Sequence, residues 1–216
     1  RQLGSVSPAR RDVFAARLSA GQGLDTGALG SSPFLQQAMS DPGYVYSATL
    51  QLHRAGRMQD AANLLATRPL LATPPRDQGA WVKELLAVAK AGGSRAAQRI
   101  AASIDDAFAP GADVSQMGYT LRDDYTTLMW LGGTSALWSL GEPASAAPLF
   151  YRYGAAARTP PTRSKGFYWA GVAAQQSGDR KGAERYFEMA AAYPDRFYGM
   201  LALERLGRPM PAIASR

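Results

Sequence analysis

A glycine followed five residues later by alanine and nine later by a bulkier apolar residue recurs along the chain. Gly56 leads to Ala61 and Leu65, Gly141 to Ala146 and Phe150, and Gly178 to Ala183 and Phe187. Gly92, Ala97 and Ala101 repeat it with a smaller last residue. Glycine accepts the left-handed conformation that ends a helix. The alanine lets a second helix approach the first, and the large residue lies one turn further along that helix. A chain built on this unit is predicted to fold as successive helical hairpins.

The Gly178 copy is the fullest. Gly171, seven residues earlier, falls where the first helix would cross its partner closely, and Pro194 ends the second helix near Tyr193. This is tetratricopeptide-like spacing, in a period of ~34 residues. The lead glycines are 36, 49 and 37 residues apart, so the array is irregular and holds an insertion. The expected fold is all-α, a TPR-like helical-hairpin superhelix or α-solenoid; an alanine-rich bundle is the alternative. Nothing shows the sustained alternation of a sheet.

Start and stop signals place helices from Ser7–Pro8 to Leu18 and from Ser32–Pro33 to Met39. A hairpin over about Tyr44–Ala55 and Met58–Ala66 follows, then one over Gly79–Ala91 and Ser94–Phe108. Further helices are expected over Asp123–Leu140, Pro143–Ala157, Ser164–Ser177, Arg180–Tyr193 and Phe197–Leu206. Loops are expected at Gly21–Gly30, Thr67–Gln78, Pro110–Leu121 and Arg158–Arg163, where recognition tends to reside on a helical scaffold. The expected organisation is an irregular helical segment over 1–40, a superhelical domain over 41–207, and a linker over 208–216 that contains Pro209 and Pro211. A chain that starts at Arg1 without a signal-peptide layout reads as a mature protein or a fragment.

Composition removes many chemistries. With no cysteine there is no disulfide framework, thiolate metal site or cysteine nucleophile. The one histidine, His53, cannot supply a multi-histidine zinc site, and no GxSxG elbow accompanies a serine, so His53 reads as a helix-face or packing residue. No stretch approaches the ~20 unbroken apolar residues of a membrane helix, so no integral membrane protein is expected. No cofactor or metal is implied, and no phosphate loop is present: Gly132-Gly133-Thr134-Ser135 lacks the lysine.

The net charge of +7 favours polyanions, but no basic run exceeds two residues, which argues against nucleic acid. The carboxylate pairs Asp105-Asp106 and Asp123-Asp124 are sequence neighbours whose side chains diverge by ~100° on a helix. They read as structural, with Asp123 suited to a helix N-cap. Aromatic residues concentrate after Tyr119, and most read as core. A few are placed to line a surface and stack on sugar rings beside Arg122, Arg152, Arg158, Arg163 or Lys165.

The segment Ser164-Lys165-Gly166-Phe167-Tyr168-Trp169-Ala170-Gly171, then Ala190-Ala191-Ala192-Tyr193-Pro194-Asp195, then Phe197-Tyr198-Gly199-Met200-Leu201-Ala202-Leu203-Glu204-Arg205-Leu206-Gly207 resembles the superhelical domain of soluble lytic transglycosylases. Arg122-Asp123-Asp124-Tyr125-Thr126-Thr127-Leu128-Met129-Trp130-Leu131 resembles the alphaproteobacterial branch, and the likeness spans about 41–207. It implies a periplasmic protein of a Gram-negative cell, acting on peptidoglycan beside a C-terminal lysozyme-like domain of the same parent protein. In that family a glutamate in a Glu-Ser motif cleaves the glycan with formation of a 1,6-anhydro product. Here no glutamate is followed by serine, so the catalytic carboxylate does not carry over.

The expectation is a non-catalytic scaffold that positions glycan strands, not an enzyme by itself. Arg122, Arg158, Arg163, Lys165, Tyr168 and Tyr198 are its candidate substrate-binding residues. Peptidoglycan and envelope proteins are its expected partners. A TPR-like protein-interaction module of the cell envelope is the alternative.

Overall fold

The computed structural model describes residue 7, residues 11–15 and residues 33–210. Among these the regular structure is helical throughout, with no strand. Ser7, where the expected Ser7–Leu18 helix opens, is not helical, residues 11–15 are, and residues 8–10 and 16–18 and the Gly21–Gly30 loop lie outside the described residues. Contacts divide the chain into two compact units, Arg1–Ala112 and Asp113–Arg216, within a stretch expected from sequence to be one domain.

The first unit contains α1 (Pro33–Met39), α2 (Pro42–Arg54), α3 (Met58–Thr67), α4 (Gln78–Ala91) and α5 (Ser94–Ser103). Asp41 and Asp77 start α2 and α4 by accepting hydrogen bonds from the amides of Tyr44 and Ala80. The α2–α3 turn uses Gly56 at φ +73°. At the α4–α5 turn the left-handed residue is Gly93 at φ +83°, one position after the expected Gly92. Gly92 serves packing instead: a Cβ there would lie 2.5 Å from the Ala62 Cβ. Ala61, Leu65, Ala97 and Ala101, the repeat positions, are all buried.

The expected Ser94–Phe108 helix is corrected. The α-helix stops at Ser103 and a 3₁₀ turn covers Ile104–Ala107. Arg68 accounts for the tightening, because its guanidinium takes both the Ser103 carbonyl and the Asp106 carboxylate. Asp106 also accepts from the Leu71 amide, which holds the 68–77 connection down.

The second unit opens with a 3₁₀ turn at Val114–Gln116, where Asp113 accepts from the Ser115 amide. Then come α6 (Tyr119–Thr134), a π-turn at Ser135–Ser139, α7 (Pro143–Ala156), α8 (Pro160–Gln176), α9 (Arg180–Ala191) and α10 (Phe197–Arg205). Left-handed glycines close α6–α7 (Gly141) and α8–α9 (Gly178), as expected. Ala146, Phe150, Ala183 and Phe187 are buried. Gly171 crosses α9 closely, with a Cβ there only 2.6 Å from the Phe187 ring.

Two helix starts are corrected. α6 begins at Tyr119, four residues before the expected Asp123, so Asp123 lies inside the helix and is not its cap. Gly118 is the N-cap, and its carbonyl accepts from the Arg122 amide. α8 begins at Pro160 and absorbs most of the expected Arg158–Arg163 loop. Pro160 and Pro161 occupy the first helical positions, where a fixed φ suits the helix and a missing N–H costs nothing.

Candidate functional site

The geometry of interest in the second unit starts with glycines. A Cβ on Gly166 would lie 2.5 Å from the Gly154 nitrogen, so α7 and α8 touch backbone to backbone. Their neighbours Tyr153 and Lys165 are thereby brought together. On α6, Gly133 admits the Phe150 ring, with a Cβ there 2.8 Å from it, and this draws Trp130 onto the same patch. Trp130 packs at a tilt against Phe150 and Tyr153 with centroids 5.3 and 5.0 Å apart. The Lys165 ammonium sits 3.8 Å from the Trp130 centroid and 5.7 Å from that of Tyr153. A cation at that distance is attracted by the ring face.

From Lys165 the same face of α8 carries Tyr168 and Trp169, three and four residues on. Trp169 meets Trp138 edge to face at 5.2 Å. Trp138 lies in the π-turn, where the Leu140 amide reaches the Ser135 carbonyl, and it is 56% exposed. The wider turn changes the direction of the side chains after Thr134 relative to a continuous α-helix. In the other direction Tyr168 packs at a tilt against Tyr198 at 5.5 Å, and Tyr198 meets Phe197 at 5.1 Å. Phe197 is 63% exposed, whereas Tyr168 is buried. A run of rings thus passes from Trp138 through Trp169, Tyr168 and Tyr198 to Phe197.

Beside this run an open cleft of about 470 Å³ is lined by Tyr153, Thr162, Lys165, Asp195, Arg196 and Tyr198, among others. Next to Tyr198, Gly199 packs α10 against the end of α9, where a Cβ would clash with the Tyr193 carbonyl oxygen. Desolvation pushes the Lys165 ammonium below the usual lysine range. The Tyr153 phenol is pushed up, first by burial and then by Tyr198 nearby.

Of the candidates read from sequence, Lys165 and Tyr198 meet in this cleft, and Tyr168 lies beneath Tyr198 as a buried support. The three arginines are engaged elsewhere. Arg122 donates to the Met117 carbonyl and lies over the Tyr119 ring. Arg158 donates to the Ser115 carbonyl at 2.7 Å. Arg163 donates to the Tyr193 hydroxyl and to the carbonyls of Ala155 and Ala157, satisfying the end of α7. Trp130 and Tyr153, the partners of Lys165, stand 35 and 12 residues from it in sequence. Only the glycines beside Tyr153 and Lys165 hinted at the meeting.

In the first unit His53 Nδ1 donates to the Glu84 carboxylate at 2.6 Å. Among the described residues no group of three or more histidine, aspartate or glutamate side chains gathers as a metal site. No described helix is long and apolar enough to cross a membrane. The chain matches no family model, no curated protein and no solved structure.

Proposed function

We propose that this chain is the non-catalytic helical scaffold of a periplasmic peptidoglycan lytic transglycosylase, holding glycan strands for a lysozyme-like domain of the parent protein. In this reading the helical hairpins are successive turns of a TPR-like superhelix, and the aromatic face of α8 and α10 meets the glycan. The observation that carries it is the run of rings from Trp138 to Phe197 with Lys165 beside it. Aromatic faces pack against the C–H faces of sugars, and a lysine answers the carboxylates of the stem peptides. The sequence likeness over 41–207 supports the same reading.

Co-sedimentation of the chain with purified sacculi tests it. Wild-type protein should pellet, and pelleting should fall between ~0.1 and ~0.5 M salt, as the Debye length shrinks from about 10 to about 4–5 Å. The double variant Trp138→Ala/Trp169→Ala should pellet markedly less at every salt concentration. Failure of the wild type to pellet at low salt would overturn the scaffold reading. The exposed Phe197 beside an open cleft would then favour a protein-interaction module of the cell envelope that takes a peptide.

A further inference from the structure

The cleft between the starts of α8 and α10 holds two cations in unequal circumstances. Arg196 is paired with Asp195 at 3.0 Å. Lys165 has only ring faces, Trp130 and Tyr153, and no carboxylate among the described residues pairs with it. Ring faces attract the charge, but an ammonium carries three hydrogen-bond donors that they do not satisfy as oxygen acceptors would. The ammonium is partly removed from water, so an arriving anion meets a cation whose hydration is already reduced.

We propose that Lys165 is the centre of a carboxylate subsite, which takes the free terminal carboxylate of a peptidoglycan stem peptide while the neighbouring rings carry the sugar. The proposal deepens the scaffold reading and rests on it for the identity of the ligand. A singly charged carboxylate fits better than a phosphate dianion, because the Asp195–Arg196 pair is already neutralised and leaves one unpaired cation among the described residues, Lys165, in the cleft. The position fits as well. Tyr198 both lines the cleft and packs against Tyr168, so the subsite opens directly beside the run of rings.

The chain has only four lysines, so NMR of a sample with ¹³C-labelled lysine follows the Lys165 Cε signal directly. The probes are N-acetyl-D-alanyl-D-alanine and its C-terminal amide, titrated into the full 216-residue chain. The acid should move the Lys165 signal and raise the pH at which it titrates, whereas the amide should bind about tenfold more weakly, the range of a charge-assisted hydrogen bond. Lys165→Met keeps an unbranched apolar stem against Trp130 and should lose the preference for acid over amide. Lys165→Arg should keep part of it, and Lys83→Met, on α4 of the first unit, should leave it unchanged.

Equal affinity for acid and amide would overturn the proposal, as would a preference that survives Lys165→Met with helical circular dichroism intact. Sacculus pelleting separates the two readings. Wild-type pelleting without acid preference removes the subsite and leaves the scaffold. Acid preference without pelleting keeps a carboxylate site and removes the scaffold.

Discussion

Arg68 shows what one side chain settles in the first unit. Its side chain is 1% exposed, and it grips both Asp106 oxygens, at 2.6 and 3.0 Å, and the Ser103 carbonyl. It also lies over the buried Trp81 ring, 5.4 Å from the centroid. Removing one partner of such a pair leaves an uncompensated charge in the interior. Arg68→Met should therefore lower unfolding stability by about 3–5 kcal/mol in urea titration, and pairing it with Asp106→Leu should restore part of the loss. Lys165 makes a second residue-scale case. Burial holds its folded-state pKa below the unfolded value, so between the two the unfolded chain binds more protons, and stability from this group rises with pH through that window. Wild type should gain stability relative to Lys165→Met as pH climbs through the window, measured by urea midpoints across an alkaline series. A flat difference would contradict the burial argument.

Between elements, the spacing of helices in the second unit is set by small residues rather than by large ones. Gly171 faces Phe187 across α8–α9, and Gly166 faces the Gly154 backbone across α7–α8. Gly171→Ala should cost about 1–3 kcal/mol by overpacking, read as a lower thermal midpoint. Gly166→Ala should cost more, because its Cβ would meet backbone atoms that cannot rotate aside, and it should also disturb the Tyr153–Lys165 contact. Gly118→Ala, with negative φ and nothing within 4 Å of a Cβ, meets no clash, so its cost should be confined to the poorer N-cap of α6, about 0.5–1 kcal/mol. The repeat signal in the sequence therefore had a real packing content. Ala61, Ala97, Ala146 and Ala183 are the buried small residues it pointed to. Helix boundaries were less legible. Pro160 and Pro161 looked like a loop because proline breaks helices in their interiors, yet at the first positions it starts them. Asp123 looked like a cap because aspartate often is one, but Gly118 starts the helix a turn earlier.

Across the whole molecule, each compact unit has its own buried cluster. Trp81, Leu85 and Ile100 are in the first, and Phe150, Phe167 and Phe187 in the second. Residues 113–216 expressed alone should be helical and unfold in one cooperative transition, as followed by circular dichroism against urea. A non-cooperative melt would mean that the second unit depends on the first. The sequence by itself determined the all-helical class, most of the hairpin turns and the positions that pack between helices. Those follow from local backbone preference and from a period read within a few turns. Tertiary structure alone decided which polar groups are already taken. Arg122, Arg158 and Arg163 look as available in the sequence as Lys165 does, yet each donates to a backbone carbonyl exposed by the ending or turning of an element. Lys165 instead arrives beside Trp130 and Tyr153 because glycines let three helices close on one another. Charge is written in the chain, but whether a charge is spent on the fold or left facing a cleft depends on neighbours brought in from distant segments.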